Sequence, residues 1–195
     1  MPVYTKEHAE AVRYYLEHER LGELEFIDGY ARKTGGPVLE LASGAARVSS
    51  QLARRGHVVY GVEMSRPMLD KAREVLGDEA PEVRGRVHLV QGDMTRFAFG
   101  RQFPLIIIPF NSFWYNLYEN RAQECVRCIV SHLAPGGFFL VEGEGKGDYF
   151  AFHSETAVFW GPIAKRLGFR YRFERYRQEH FYKNPSHSFL VGWRP

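Results

Sequence analysis

VLELASGAARVSSQLARRGHVVYGVEMSRPML, Val38 to Leu69, is the stretch that decides the fold. Four apolar-rich residues, Val38 to Leu41, run into a bend of small residues, and a segment of helical periodicity begins near Ala46. A second apolar run, HVVYGVE, then closes on an acid, Glu63, before SRPML opens another helix with Ser65 as its cap and Pro67 early inside it. Strand, tight bend, helix and strand in that order form the ligand-binding half of a parallel α/β sheet.

The bend itself is unusual, because only Gly44 stands where nucleotide-binding turns carry two or three glycines. A dinucleotide fingerprint needs glycine at the position held by Arg47, and no GK[ST] ending marks a phosphate loop. What remains is a run of small residues, Ala42, Ser43, Gly44, Ala45 and Ala46, over which a ligand could approach the backbone and the free N–H groups of the following helix. Glu63 lies 19 residues past Gly44, where an acid accepts hydrogen bonds from a ribose diol. The competing role for Glu63, capping the SRPML helix, is better filled by Ser65.

Outward from this stretch the alternation continues. RVHLVQGD (86–93), FPLIIIPF (103–110) and GGFFLVEGE (136–144) read as further strands, with helices SRPMLDKAREVLGD (65–78) and NRAQECVRCIVSHLAPGG (120–137) between them. Near-continuous apolar strands separated by helices predict a parallel sheet covered on both faces. The ending differs: after the helix SETAVFWGPIAKRLG, the strands FRYRFERYRQEHFY and HSFLVGWRP are joined by a turn too short for a crossover, so they must pair antiparallel. The fold class is therefore α/β, a doubly wound, mostly parallel seven-stranded sheet with an antiparallel C-terminal strand pair. Residues 1–35 read as helix, with Val12, Tyr15, Leu16, Leu24, Ile27 and Ala31 at three- and four-residue spacing. The 195 residues form one domain, with 1–35 as an N-terminal helical lid and 36–195 as the core.

A net charge of +3 is too mild for a nucleic-acid footprint. The arginine-rich strand FRYRFERYR has the alternation of any half-exposed strand. No run has signal-peptide or membrane-spanning length, which points to a cytoplasmic protein without a membrane partner. Cys125 and Cys128, the two cysteines, have no second pair or histidine partner for a zinc site and read as core thiols; no metal is expected.

Other candidate residues also fall at strand ends. Asp93, after Gly92, could accept from an exocyclic amino group while Met94 packs on a flat base; its other reading is an ordinary Asx turn. Pro109, Phe110, Asn111 and Ser112 end the strongly apolar fourth strand, where carbonyls and the Asn side chain could hold an ammonium group or substrate, or simply turn. Phe113, Trp114 and Tyr115 either fill core or wall a cleft for a cationic or apolar ligand.

In this order, VLELASGAAR, GVEMSRPML, VQGDM, FPLIIIPFNSF and LAPGGFFLVE, the motifs resemble the class I S-adenosylmethionine-dependent methyltransferases, particularly the bacterial small-molecule members, over residues 36 to 145. The resemblance implies a Rossmann-like methyltransferase fold and S-adenosylmethionine as cofactor. It implies cofactor contacts at Glu40, Ala42, Ser43, Gly44 and Ala46 for the methionine half, and at Glu63, Met64 and Met68 around the ribose. Asp93 and Met94 would frame the adenine, and Pro109 and Phe110 would lie near the sulfonium. Asn111, Trp114 and Tyr115 are the implied substrate contacts, and Tyr14, Tyr115 and His153 are candidate general bases where the acceptor must lose a proton. The cofactor has a ribose but no phosphate, so the acid is needed and a pyrophosphate-sized glycine gap is not. The family usually has glycine at 46 and often at 42, where this chain has alanine.

The reaction expected is in-line methyl transfer to a small organic N- or O-nucleophile, driven mainly by orientation, by a monomer or homodimer. Three alternatives stay open at this point: an inactive cofactor-binding module, an RNA or protein methyltransferase, and a nicotinamide oxidoreductase. The second lacks the Asn/Asp-Pro-Pro-aromatic sequence of nucleobase enzymes, since the chain reads Ile108, Pro109, Phe110, Asn111.

Overall fold

The computed structural model describes residues 21–113, 121–144, 160–176 and 187–195. In chain order the elements are α1 (Leu21–Thr34), β1 (Val38–Leu41), α2 (Arg47–Arg54), β2 (Val59–Glu63), α3 (Arg66–Gly77), the single turn α4 (Pro81–Arg84), β3 (Val87–Gln91) and β4 (Phe103–Ile108). They continue with α5 (Ala122–His132), β5 (Leu133–Glu144), a helical stretch 160–167 (α6), β6 (Arg170–Tyr176) and β7 (His187–Trp193).

Seven strands form one sheet in the order β3-β2-β1-β4-β5-β7-β6. β1 to β5 run parallel, and β7 lies antiparallel to both β5 and β6. The chain builds outward from β1 through β2 to β3, then returns to the other side of β1 with β4. Strand order therefore reverses between β1 and β4, the place at which doubly wound sheets bind their ligands. Both the small-residue bend and the Pro109–Ser112 segment leave strands at this point.

Alternate side chains of the central strands enter opposite cores, as a pleated strand requires. Val38, Val59, Leu105, Ile107, Leu140, Phe189 and Val191 pack with Leu24, Ile27 and Ala31 of α1 and Val48 and Leu52 of α2. Leu39, Leu41, Val62, Ile106, Ile108, Phe139, Val141 and Leu190 pack with Cys125, Val126 and Ile129 of α5 and Trp160 and Ile163 of α6. Burying each such aliphatic side chain contributes about 1.5–3 kcal/mol, so continuous apolar strands sandwiched on both faces carry the stability of the domain.

Some boundaries differ from the sequence reading. The helix read through Gly137 stops at His132, because Pro135 cannot continue it and Gly136 turns left-handed at φ +71°. LAPGG instead enters β5 through an irregularity, with pairing at Phe103–Leu133 resuming at Leu105–Phe138. β4 ends at Ile108 rather than Phe110, because Phe110 is itself left-handed. In the stretch expected to act as a lid, α1 lies on the sheet face with Ile27 and Ala31 fully buried; residues 1–20 fall outside the described part. Cys125 is core, whereas Cys128 is only half-buried and donates to the Phe97 carbonyl.

Candidate functional site at the β1 and β4 strand ends

The bend after β1 is held at its base by Ser43 N–H donating to the Val62 carbonyl at 3.1 Å and by Ala46 N–H donating to the Ser43 carbonyl at 2.9 Å. Ala42, Gly44 and Ala46 have φ of +56°, +55° and +63°. The two alanines thus occupy glycine conformations, at about 1–2 kcal/mol each. The Ala46 methyl is fully buried against Ala72 and Leu76 of α3, with Val87 and Leu89 alongside, so it faces the core and does not plug the outer side of the bend. At Gly44 a Cβ would meet the Met68 methyl at 3.3 Å, which keeps this position small as well as left-handed. Ser43 turns inward over Gly61, where a Cβ would lie 2.8 Å from its Oγ. That hydroxyl is the buried side-chain polar atom without a partner among the described residues.

Glu63 ends β2 and reaches back across the bend. One carboxylate oxygen accepts from Gly44 N–H at 2.9 Å and the other from Ser65 N–H at 2.7 Å. Ser65 meanwhile caps α3 by accepting from Met68 N–H at 3.4 Å, as the sequence suggested. Burial pushes the Glu63 pKa above the ordinary carboxylate value, against these N–H bonds, which favour the charged form. A carboxylate has about four lone-pair sites, so these bonds orient the group without exhausting its capacity to accept. Met64 is exposed beside it, and Met68 is buried beneath Gly44.

Asp93 lies just after β3. It forms an Asx turn, accepting from Thr95 N–H and Thr95 Oγ1, each at 2.8 Å, and it pairs with Arg121 at the start of α5 at 2.5 Å. Burial works to raise its pKa, but the Arg121 guanidinium and the Thr95 donors outweigh it and hold the carboxyl below the usual range. A base amino group would share this carboxylate with Arg121. Met94 packs on the α5-side core.

At the end of β4, Pro109 is buried, Phe110 is exposed, and Phe110 and Asn111 are both left-handed, at φ +58° and +57°. Ser112 N–H donates to the Pro109 carbonyl at 3.3 Å, so the turn read from the sequence does form. Phe110 N–H donates to the buried carboxylate of Glu142 on β5. The Arg47 guanidinium lies 5.9 Å from the Phe110 ring centre and is clamped by Glu23 of α1 at 3.0 and 2.8 Å, with Glu23 fully buried.

Glu40 points from the middle of β1 toward α1 and α2, on the same face as Val38, and accepts from Ser49 Oγ. Burial pushes its pKa up to about 8, against the Ser49 bond and the nearby Arg47 charge, so the carboxyl holds its proton at neutral pH. The site thus combines a neutral Glu40 with Glu63 and the Arg47–Glu23 ion pair around one bend. Among the described residues no cluster of His, Cys, Asp and Glu could hold a metal ion, and no helix is long and apolar enough to cross a membrane.

Of the residues expected from sequence, Glu40, Ala42, Ser43, Gly44 and Ala46 lie on β1 and its bend, Glu63, Met64 and Met68 at the end of β2 and the start of α3, and Pro109, Phe110 and Asn111 beyond β4 on the other side of β1; Ala46 and Met68 are buried and Ser43 turns inward. Asp93 and Met94 lie beyond β3 on the far side of β2. Tyr14, Trp114, Tyr115 and His153 lie outside the described residues. Sequence reading missed Glu23, Arg121 and Glu142. Glu142 carried a signal, an acid inside an otherwise apolar strand; Glu23 falls on the apolar stripe of α1, four residues before Ile27; Arg121 carried none.

A family model for the methyltransferase domain matches residues 38–137. An uncharacterized methyltransferase of Geobacillus sp. (strain WCH70) is 38% identical over 73 residues, 37% of this chain and 31% of its own length. The dTDP-3-amino-3,4,6-trideoxy-alpha-D-glucopyranose N,N-dimethyltransferase of Streptomyces venezuelae is 30% identical over 105 residues, 54% of this chain and 41% of its own. The chain therefore spans between about a third and two fifths of the length of these two relatives. In fold it is similar to the glycopeptide N-methyltransferase MtfA, with a TM-score of 0.70 at 22% identity over 90% of this chain and 97% of that one; MtfA has also been solved with S-adenosyl-L-methionine.

Proposed function

Because the chain belongs to the class I S-adenosylmethionine-dependent methyltransferases, we propose that it binds S-adenosylmethionine and transfers the methyl group to a small organic N- or O-nucleophile. The observation that carries this reading is Glu63, whose carboxylate is aimed at the reversal point of the sheet by two backbone N–H groups and retains lone pairs for a ribose diol. The bend fits such a ligand: the Ala46 methyl is turned into the core, and Gly44 leaves the backbone open. Bound there, the cofactor supplies an electrophilic methyl group on a sulfonium.

The chain's own residues supply placement. Glu63 would hold the ribose, Asp93 and Met94 the adenine, Glu40, Ala42, Ser43, Gly44 and Ala46 the methionine half, and Pro109 and Phe110 the sulfonium end. Met64 and Met68 would flank the ribose. Asn111 would meet the acceptor, together with Trp114 and Tyr115. Tyr14, Tyr115 and His153 remain the candidate bases for an acceptor that must lose a proton. Orientation of this kind supplies as much as about 7–11 kcal/mol of a barrier in favourable cases, so a dedicated base is not essential. We place the protein in the cytoplasm, as a monomer or homodimer.

A second reading, binding without catalysis, rested on Ala42 and Ala46. The burial of the Ala46 methyl removes half of that motive. Calorimetry with S-adenosylhomocysteine tests the proposal. One-site micromolar binding is expected, and absence of binding would overturn it.

A further inference from the structure

Glu142 is a buried carboxyl group that the mechanism above does not use. It lies in β5 opposite Phe189 of β7, 1% exposed, two residues beyond Leu140 and so on the face covered by α1 and α2. A carboxylate buried so deeply needs donors, and one of them is the backbone N–H of Phe110, two residues beyond the end of β4. Phe110 is left-handed and is followed by a second left-handed residue, Asn111. A bulky residue in that region persists only when its surroundings impose it. The imposed conformation has a visible result: the chain turns off the line of β4 and leaves Phe110 42% exposed, after the buried run from Leu105 to Pro109.

The ring is held from its side as well. Arg47, the first residue of α2, sets its guanidinium 5.9 Å from the ring centre, and Glu23 of α1 clamps that guanidinium with two hydrogen bonds. Elements from both sides of the reversal point thus converge on one exposed aromatic ring. A core role would bury the ring, and a plain surface turn would use a small polar residue in place of a strained phenylalanine. The arrangement makes sense as a preset contact for a ligand.

We infer that Glu142 is a positioning residue: by gripping the Phe110 backbone it fixes the Phe110 ring at the β4 tip, where the ring distinguishes the sulfonium cofactor from its neutral product. This rests on the cofactor reading above. S-adenosylmethionine and S-adenosylhomocysteine differ by one methyl group and one positive charge, and an aromatic face attracts a nearby cation. The exposed part of Phe110 is the surface a ligand would meet. The expected preference for the charged cofactor is about 2- to 30-fold in affinity.

The test needs no methyl acceptor. Calorimetry would give dissociation constants for S-adenosylmethionine and S-adenosylhomocysteine with the wild type, Phe110→Leu, Glu142→Leu and Glu142→Gln, with melting temperatures alongside. The affinity ratio should fall toward one in Phe110→Leu and Glu142→Leu, chiefly through weaker binding of S-adenosylmethionine. Glu142→Gln, which keeps an oxygen to accept the Phe110 N–H, should recover most of the ratio lost in Glu142→Leu. The inference is overturned if Glu142→Leu keeps the wild-type ratio, or if Glu142→Gln loses it as fully as Phe110→Leu does, which would make charge and not position the active property. Should Glu142→Leu fail to fold, Glu142→Met, which likewise cannot accept the Phe110 N–H, takes its place, and a wild-type ratio there overturns the inference. Failure of the wild type to bind either compound would overturn the cofactor reading itself, a different result from binding with an unaltered ratio.

Discussion

Replacing Glu63 by glutamine should destabilise the protein even when no ligand is present. The carboxylate receives Gly44 N–H on one oxygen and Ser65 N–H on the other. Glutamine offers one oxygen and one amide group, so in either orientation an N–H donor faces another N–H donor. One charge-assisted hydrogen bond, about 1.5–3 kcal/mol, disappears, and a nearly buried backbone donor is left unpaired at about 1–3 kcal/mol. These two costs overlap, and removing a carboxylate that burial already disfavours offsets part of them. A net loss of about 2–4 kcal/mol follows, a drop of roughly 5–15 °C in melting temperature for a domain of this size. Differential scanning calorimetry of the ligand-free protein measures it directly. A midpoint within about 2 °C of wild type would refute the view that Glu63 ties the bend to the start of α3, and with it the reason its orientation is fixed.

The alanines of the bend should respond differently to glycine. Relief of the left-handed conformation, about 1–2 kcal/mol, less the added chain entropy of glycine, about 0.5–1 kcal/mol, leaves Ala42→Gly stabilised by about 0.5–1 kcal/mol in urea unfolding. Ala46→Gly loses a buried methyl as well and should come out within about 0.5 kcal/mol of wild type; a clear gain at 46 would contradict its packing against α3. Glu40 predicts a pH dependence. Its folded pKa, about 8, stands above its ordinary value of 4.5, so the folded state binds this proton more tightly and stability falls as pH rises from about 4.5 toward 8. Denaturant midpoints measured across that interval should show a slope that Glu40→Gln flattens, and an equal slope in both proteins would reject the assignment.

The sheet was legible because its signal is carried by many residues at once. Five apolar runs, three of their four connections helical, leave few parallel arrangements, and the short KNPS connection leaves only antiparallel pairing for the last two strands. Glu63 was legible for a related reason: its place at a strand end follows from the period of the strand. Backbone conformation was not. Nothing local in the letters of Phe110 and Asn111 announces two successive left-handed residues, because the conformation depends on Glu142, distant in sequence and brought alongside by pairing of β4 with β5. Asp93 illustrates the same limit. Its turn with Thr95 could be read from neighbouring residues, but its pairing with Arg121 depends on where α5 begins in space. The alanines at 42 and 46 looked like two equivalent departures, and only packing separates them, since Ala46 fits against α3 while Ala42 remains half-buried.

The most direct test of the account is a crystal structure with S-adenosylhomocysteine bound. The account predicts both ribose hydroxyls within hydrogen-bond reach of Glu63 while that carboxylate still accepts from Gly44 and Ser65, with the amino-acid tail lying over Gly44. A ribose bound away from Glu63, or a tail excluded from the bend by Ala42, would contradict it.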